Sequence, residues 1–218
     1  MSHMKKLFLI ITLLIAVLIF IFWQEIKRAR SIVTNTTAEP LVSVASYPIP
    51  ITTTTPLRGN PGAPLTLVAF IDLSDNPSKT LYKLLAKFVD ANPADARLVF
   101  FDLPERTIFS GDHTAPQVAA GCAKEQNKFW QFTDVAATLA GSPNEAALMN
   151  IAQNLKLDVA SWQRCLLAGK AESAVALGVS LANQLGVTKP PALFVNNKRI
   201  NLNEKADLEK FFTNLITK

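Results

Sequence analysis

Residues 65–102 read LTLVAFIDLSDNPSKTLYKLLAKFVDANPADARLVFFD, and this stretch decides the fold. The apolar run Leu65–Ile71 is typical of a strand that is buried on both faces. Ser74 or Asp75 then provides the N-cap of a helix over Pro77–Asp90. Arg97–Asp102 is a second buried strand. A strand, a helix and a strand with short connections form a βαβ unit, which predicts two parallel strands in one sheet.

Helical patterns dominate the sequence after this unit. Residues 114–186 show helical periodicity, with breaks at Gly141-Ser142-Pro143 and near Asp158. We expect Asp158 to cap the last of these helices and Gly169 to end or interrupt it. The periodic stretches are Gln117–Ala140, Asn144–Leu155 and Val159–Leu185.

The C-terminal part begins with strand patterns. Ala192–Val195 is a short apolar strand, Asn196-Asn197 provide a turn, and Lys198–Asn201 complete a β-hairpin. A last amphipathic helix begins at Asn203 or Glu204 and faces inward through four apolar side chains. These are Leu208, Phe211, Phe212 and Leu215. The order β-α-β, helical block, β-β-α therefore predicts an α/β domain with a four-stranded mixed sheet.

The N-terminal residues form the most apolar part of the chain. Leu7–Trp23 read LFLIITLLIAVLIFIFW, which is 17 residues without a charge. A helix of this length spans about 25 Å, close to the thickness of a bilayer core. A buried core helix would show a polar face, and none is present. A cleavable signal peptide is an alternative, but no small-x-small site follows the apolar run. We favour an uncleaved single transmembrane helix as a membrane anchor in residues 1–30.

Residues 31–57 are rich in Thr, Ser and Pro and lack helical periodicity, so we interpret them as an extended linker. The folded domain is then expected over residues 58–218, with a helical insertion at about 114–186. Residues 1–30 hold five Lys or Arg and one Glu of a chain with net charge +5, which leaves 17 basic and 16 acidic residues in 31–218. This near-neutral body gives no argument for nucleic-acid binding.

The two cysteines, Cys122 and Cys165, lie 43 positions apart on predicted helices. Two cysteines without a further Cys/His cluster cannot form a structural zinc site, and no metal or cofactor is expected. The pair is either two buried thiols or a disulfide, and a disulfide requires an oxidising compartment.

Four segments resemble the DsbA-like thioredoxin family, in the same order and with matching spacing. Arg58–Pro64 (RGNPGAP) resembles the opening of the family's domain, and Val68–Leu73 (VAFIDL) resembles its first strand. Gly121–Trp130 (GCAKEQNKFW) resembles a helical stretch, and Ala182–Arg199 (ANQLGVTKPPALFVNNKR) resembles the segment around its cis-proline. The resemblance runs from about residue 58 to the C-terminus and implies a thioredoxin-like fold with a helical insertion.

The resemblance breaks at the family's redox motif. The family places Cys-Pro-x-Cys directly after its first strand, whereas this chain has Asp75-Asn76-Pro77-Ser78. Asp75 stands where the nucleophilic cysteine is expected and Ser78 where the resolving cysteine is expected. A carboxylate suits the positive end of a helix dipole. Neither side chain supplies the thiolate that disulfide exchange needs, so the resemblance implies a degenerate site with no catalytic residue.

The resemblance assigns further roles. Pro191 matches the cis-proline and Pro190 the position that usually faces the substrate, so this loop could hold a peptide without chemistry. Cys122 and Cys165 match positions where related sequences often carry cysteines, which implies a structural disulfide between two helices. His113 is interpreted as a solvated or capping residue, because no second histidine of the body accompanies it.

These features predict a non-catalytic, membrane-anchored thioredoxin-like protein that binds a protein partner. We expect an accessory subunit of a membrane complex or a chaperone-like module. Although the charges around the span favour the opposite orientation, the cysteine pair and the resemblance favour a body in the periplasm or an equivalent extracytoplasmic space. The alternative is a thiol-disulfide oxidoreductase or isomerase that uses Cys122 and Cys165.

Overall fold

The computed structural model describes residues 16–24, 42–105, 113–202 and 208–216. The chain divides into two units, Met1–Pro40 and Leu41–Lys218, each described by itself. In the first unit, residues 16–24 form a helix (α1) with exposed side chains, and residues 7–15 of the predicted span lie outside the described residues. Among the described residues, no single helix is long and apolar enough to cross a membrane. Two helices, Val159–Leu167 and Glu172–Gln184, are long and apolar enough only when they are counted together, and a bend of 54° separates them.

The second unit is built on one six-stranded sheet with the order β1-β6-β5-β3-β4-β2. β3 (Leu65–Ile71) is buried along its whole length, as its apolar run predicted. It pairs in parallel with β4 (Ala96–Asp102) and antiparallel with β5 (Ala192–Val195). β6 (Lys198–Ile200) forms a hairpin with β5. The four strands predicted from the sequence are therefore confirmed. The bounds of β3 and β5 match the prediction, β4 begins one residue earlier, and β6 ends one residue earlier.

Two edge strands correct the interpretation of residues 31–57 as a linker. β1 (Val42–Ser46) pairs with β6, and β2 (Leu57–Gly59) pairs with β4, both antiparallel. Between them, Ile49 is buried and the ring of Tyr47 packs edge-on against Phe194, with centroids 5.6 Å apart. A short edge strand pairs on one side only and carries no long apolar run, so its Thr- and Ser-rich sequence resembles that of a linker. The folded unit begins at Leu41 instead of residue 58.

Helices cover both faces of the sheet. α2 (Asn76–Ala91) extends the predicted helix by one residue at each end. Asn127 and Gly169, with φ of 59° and 61°, break two of the predicted helical stretches, so the described insertion contains five helices where three were predicted. The helices after α2 are α3 (Ala115–Lys124), α4 (Phe129–Ala136), α5 (Glu145–Asn154), α6 (Val159–Leu167), α7 (Glu172–Gln184) and α8 (Leu208–Ile216). The expected start of α8 at Asn203 or Glu204 lies outside the described residues.

The alternation of side chains along β3 and β4 divides the core into two parts. Leu67 and Phe100 face a large cluster that includes α2 and most of the insertion. Phe70 and Phe101 face a smaller cluster, in which their rings stack with centroids 5.3 Å apart beside Leu181 of α7. The sheet is therefore covered on both faces, which explains the continuous apolar runs of its central strands.

The insertion is held together by the Cys122–Cys165 disulfide, as the resemblance implied. The two sulfur atoms are 2.03 Å apart and join α3 to α6. The two residues are 0% and 1% exposed. Trp162 packs in the same core, and its indole N–H donates to the carbonyl of Ala119 at 3.0 Å. Asp158 caps α6, as predicted, by accepting a hydrogen bond from the amide of Ser161 at 3.0 Å.

Candidate functional site

Asp75-Asn76-Pro77-Ser78, here named the 75–78 turn, lie where β3 leads into α2. Asp75 is the N-cap of the helix, with φ −103° and ψ 128°, and its carboxylate accepts a hydrogen bond from the amide of Ser78 at 2.8 Å. Pro77 lies in the first turn, where a missing N–H leaves no helical bond unmade. The carboxylate satisfies one orphan amide at the positive end of the helix dipole. Asp75 therefore has a complete structural role as a cap.

The side chains of this turn differ in exposure. Asn76 and Pro77 are exposed and Asp75 is half-buried, whereas Ser78 is 0% exposed. Its hydroxyl has no hydrogen-bond partner among the described residues. The burial follows from helical spacing, because Ser78 lies three residues before the core residue Leu81. The hydroxyl of Ser78 is therefore closed off from any substrate in this structure.

The Pro190-Pro191 loop lies at the same end of the sheet as the 75–78 turn. Ala192 pairs with Phe70 in the antiparallel β3–β5 ladder, so the two prolines continue this ladder toward Asp72. The peptide bond between the two prolines is cis, and both residues are half-buried. The structure thus brings together the two segments that the sequence singled out.

A turn of the insertion, residues 139–142, covers the start of α2, and no pattern in the sequence predicts this contact. The amide of Gly141 donates to Oδ1 of Asn76 at 3.1 Å. The hydroxyl oxygens of Ser142 and Ser74 are 3.1 Å apart. The 139–142 turn therefore forms one border of the candidate site.

Lys79 forms hydrogen bonds to the same 139–142 turn. It is 2% exposed, and its Nζ donates to the carbonyl oxygen of Leu139 at 2.9 Å and to that of Gly141. Burial lowers the pKa of Lys79, and the nearby charges of Asp72 and Asp75 oppose this effect. No sequence pattern distinguishes Lys79 from the exposed lysines of α2, so its role emerges only in three dimensions.

Asp72 connects the end of β3 to three other segments. It is 0% exposed, and its Oδ1 accepts hydrogen bonds from the amide of Ser74 and from Nε2 of Gln117, both at 2.7 Å. Its Oδ2 accepts from the amide of Glu105 at 2.9 Å and lies 3.5 Å from Nδ1 of His113. His113 therefore lies beside a buried carboxylate with its side chain 25% exposed, so of its two expected roles, solvated or capping, the solvated one is wrong.

Asp102 is a second buried carboxyl group at this end of the sheet. It stands beside Ile71 in the parallel β3–β4 register. Burial and the charge of Asp72 raise the pKa of Asp102 to about 7, while Lys124 acts in the opposite direction. Within the described ranges, no three or more His, Cys, Asp or Glu side chains are grouped so that they could hold a metal ion.

Comparison with known proteins identifies the family. A family model described as thioredoxin matches residues 52–214. The chain belongs to the thioredoxin family. No curated protein sequence matches this thioredoxin-family chain.

Solved structures add the type of fold. The thioredoxin-like oxidoreductase of Silicibacter pomeroyi DSS-3 is 25% identical, with a TM-score of 0.64 over 77% of this chain and 95% of that one. The thiol-disulfide exchange protein alpha-DsbA2 of Wolbachia pipientis is 19% identical, with a TM-score of 0.62 over 75% and 88%. BdbD of Bacillus subtilis is 19% identical, with a TM-score of 0.59 over 75% and 94%. The fold is the DsbA-type thioredoxin fold.

The chemistry available at the candidate site follows from its side chains. Both cysteines of this thioredoxin-family chain form the disulfide of the insertion, so the 75–78 turn contains no thiol. A capping carboxylate and an enclosed hydroxyl cannot form a mixed disulfide. The exposed groups that remain are the amide of Asn76 and the ring of Pro77, beside two half-buried prolines. These groups offer one hydrogen-bonding side chain and an apolar surface.

Proposed function

We propose that this chain is a non-catalytic thioredoxin-like protein that binds a segment of a partner protein between the 75–78 turn and the Pro190-Pro191 loop. In this proposal it is an accessory subunit of a membrane complex or a chaperone-like module. Residues 7–23 anchor it in the membrane, and its folded unit lies in the periplasm or an equivalent space.

The proposal rests on a site that has a complete set of surrounding contacts but no nucleophile. Asp75 caps α2, Lys79 and Asn76 fasten the 139–142 turn, and Asp72 holds four neighbouring groups. These contacts hold the surroundings of the turn in one arrangement, so that exposed Asn76 and Pro77 and the half-buried prolines form a defined surface although no thiol is present. Such a surface supports binding of a partner.

The proposed mode of binding is contact with an extended chain. The exposed surface consists of Asn76 and Pro77 on one side and half-buried Pro190 and Pro191 on the other, with exposed Lys189 next to them. Binding of an extended segment by backbone and side-chain contacts needs no bond-making step. The partner would be released unchanged.

Site-specific photo-crosslinking tests this proposal. A benzophenone amino acid is placed at Pro77 or at Lys189, which are exposed residues beside the two walls of the site. The matched control carries the same probe at Gln184, an exposed residue of α7. We expect both wall positions to crosslink one and the same protein and the control to miss it. Equal crosslinking from Gln184, or recovery of the partner by residues 1–40 alone, would place binding elsewhere.

The location of the folded unit requires a separate test. A buried disulfide suits an oxidising compartment, which supports an extracytoplasmic body. Protease added to intact spheroplasts should digest the folded unit together with an exported control protein. Survival of the unit while the control is digested would reverse the proposed orientation.

The alternative function is disulfide exchange through Cys122 and Cys165, and it is favoured by the similarity to a thioredoxin-like oxidoreductase and a thiol-disulfide exchange protein. Against it, both cysteines are buried, and exchange requires a thiolate to reach a sulfur atom. With glutathione present, we expect the native chain to keep this disulfide, so that no thiol can be labelled until the chain is denatured and the reductant reaches the bond. Rapid labelling of both cysteines in the native state would favour the alternative.

A further inference from the structure

A cleft of about 680 Å³ opens where the end of β4 meets the helical insertion. No residue of the 75–78 turn and neither proline of the loop is among the described residues that line it. Its volume lies within the range of about 300–1,000 Å³ that small-molecule sites usually have. We name it the Asp102 cleft. The lining residues that matter here are Phe100, Asp102, Lys124, Phe129, Lys170 and Leu177.

Asp102 is the least exposed of the charged residues that line this cleft. The residue is only 8% exposed, and its Oδ1 has no hydrogen-bond partner in the part of the chain that the structure describes. The alternation along β4 places its side chain on the same face as that of Phe100. The nearby helix α7 approaches so closely that a Cβ atom at Gly178 would collide with the carbonyl oxygen of Asp102. A buried carboxyl oxygen without a donor is costly, so this group is ready to accept one.

The lysines at the rim of the cleft do not donate a hydrogen bond to Asp102. Nζ of Lys124 donates to the carbonyl oxygen of Thr54. Nζ of Lys170 lies 3.7 Å from the carboxylate of Glu125. Both ammonium groups therefore have acceptors of their own, and no described lysine or arginine forms an ion pair with Asp102.

The walls of the cleft are apolar. Phe129 is buried and Phe100 is 1% exposed, and both contribute to the lining. Leu177 is 52% exposed at the opening, where a bound molecule would cover it. An apolar body with one donor group at its end is the chemistry that matches these walls and this carboxyl group.

We propose that the Asp102 cleft binds a small primary amine with an aromatic or branched aliphatic body, whose ammonium group pairs with the carboxylate of Asp102. The apolar body lies against Phe100, Phe129 and Leu177. Charge-assisted hydrogen bonds from an ammonium group to a carboxylate are stronger than those from a neutral hydroxyl, so the charge of the head group decides the affinity.

The charge balance of the cleft supports an amine. Burial and the charge of Asp72 raise the pKa of Asp102 to about 7, so this carboxyl group binds a proton more readily than an exposed aspartate does. An ammonium group that replaces the proton leaves the net charge of the cleft unchanged. The positive charges of Lys124 and Lys170 therefore repel a bound ammonium group no more than they repel the proton that it replaces on Asp102. A carboxylate ligand would instead place a second negative charge beside Asp102.

Calorimetric titration of the full chain with three matched probes tests the proposal. The probes are 2-phenylethylamine, 2-phenylethanol and 3-phenylpropionate, which share the ring and differ in the head group. We expect the amine to bind at least tenfold more tightly than the alcohol and the carboxylate not to bind detectably. Asp102→Asn should reduce the amine's affinity to that of the alcohol. The matched control Asp95→Asn, which removes an exposed carboxylate, should leave the affinity unchanged.

A second variant tests the location. Ala174 lines the cleft and is exposed on α7, so Ala174→Trp should fill the space without burying new surface in the core, and binding of all probes should be lost. Three results would overturn the proposal. These are equal affinity of amine and alcohol, an Asp102→Asn variant that binds the amine like the parent chain, and tighter binding of an acetylated apolar peptide than of the amine. The last would assign the cleft to extended chains.

Discussion

The hydroxyl of Tyr82 on α2 donates a hydrogen bond to the carboxylate of Asp134 on α4, with the two oxygen atoms 2.5 Å apart. Arg58 of β2 donates to the same carboxylate at 2.8 Å and to that of Asp90 at 2.6 Å. The guanidinium of Arg58 also lies 5.7 Å from the ring centroid of Trp130. One network thus joins the edge of the sheet, α2 and the insertion.

Substitution of Tyr82 by Phe should weaken this junction. Burial is the main reason that the pKa of Tyr82 is raised, so its hydroxyl remains a donor at all ordinary pH values. Losing a buried donor to a carboxylate should lower the free energy of unfolding by about 1–3 kcal/mol. Urea denaturation measures this loss. The control Tyr47→Phe, at a half-buried ring packed on Phe194, should change stability by less than about 0.5 kcal/mol. Equal effects of both substitutions would contradict the network.

Asp102 should make the stability of the folded unit depend on pH. Its pKa is raised from 3.8 to about 7, so between these values the folded chain holds a proton that the unfolded chain has released. The free energy of unfolding therefore falls as pH rises through this window, by up to about 1.4 kcal/mol per unit. Asp102→Asn should remove the dependence. Compared with the parent chain, the variant should be similar near pH 4 and more stable by about 2–4 kcal/mol at pH 8.

Urea titrations at several pH values measure this difference. Lys124 and Asp72 are the charged groups that act on Asp102, so both must be kept in all variants. The exposed control Asp95→Asn should show the slope of the parent chain. Suppose that the free energy of unfolding rises between pH 5 and pH 7, and rises more for the parent chain than for Asp102→Asn. That result would contradict a raised pKa of Asp102 in the folded chain.

The double substitution Asp75→Cys and Ser78→Cys should create a redox site on this fold. The turn already stands at a helix N-terminus, which lowers the pKa of a thiol and favours the reactive thiolate. We expect insulin reduction above background for the double variant and none for the parent chain. Ser78→Cys alone is the control, because a single enclosed thiol cannot complete the cycle. Insulin reduction by the parent chain would contradict the proposed non-catalytic role.

Lys79→Met should loosen the 139–142 turn while leaving α2 intact. The substitution keeps an apolar chain of similar length but removes the ammonium group that bonds to the carbonyls of Leu139 and Gly141. Amide exchange at Gly141, whose N–H is held by Asn76, should accelerate by at least about tenfold, which corresponds to about 1.4 kcal/mol. Lys83→Met, at an exposed position of the same helix, should leave this exchange rate unchanged.

Truncation should locate the true start of the folded unit. Removal of residues 1–40 should leave the thermal stability of the remaining chain unchanged, because these residues belong to the other unit. Removal of residues 1–57 also deletes β1, Ile49 and Tyr47, which should cost about 3 kcal/mol or more from lost apolar burial alone. Equal melting temperatures for the two shortened chains would instead support residue 58 as the start of the folded domain.

The elements predicted correctly are those with strong local patterns. β3 and β4 have apolar runs that only a doubly covered sheet produces, and Asp75 and Asp158 stand directly before helical periods as caps. β1 was missed because Val42–Ser46 is an edge strand with one partner, β6, whose residues lie more than 150 positions away along the chain. No local pattern records that pairing.

The site was predicted in outline but not in its contacts. The 75–78 turn and the proline loop emerged from motif resemblance, and β3–β5 pairing brings them to one end of the sheet. Lys79 binds carbonyl groups about 60 residues away, and Asp72 meets His113 across 41 positions. Such contacts depend on how the insertion folds back over the sheet, and a single sequence does not encode them in any periodic form.

The burial of the disulfide between Cys122 and Cys165 limits when this bond can form during folding. Once α3 and α6 have packed, Cys122 is 0% exposed and Cys165 is 1% exposed, so we expect the two thiols to lose two electrons and two protons before or during that closure. The acceptor has to come from outside, because the 75–78 turn has no thiol to offer. Formation of this disulfide therefore depends on an oxidant outside the 75–78 turn, and the yield of folded protein will follow the oxidising capacity of the compartment where the chain folds.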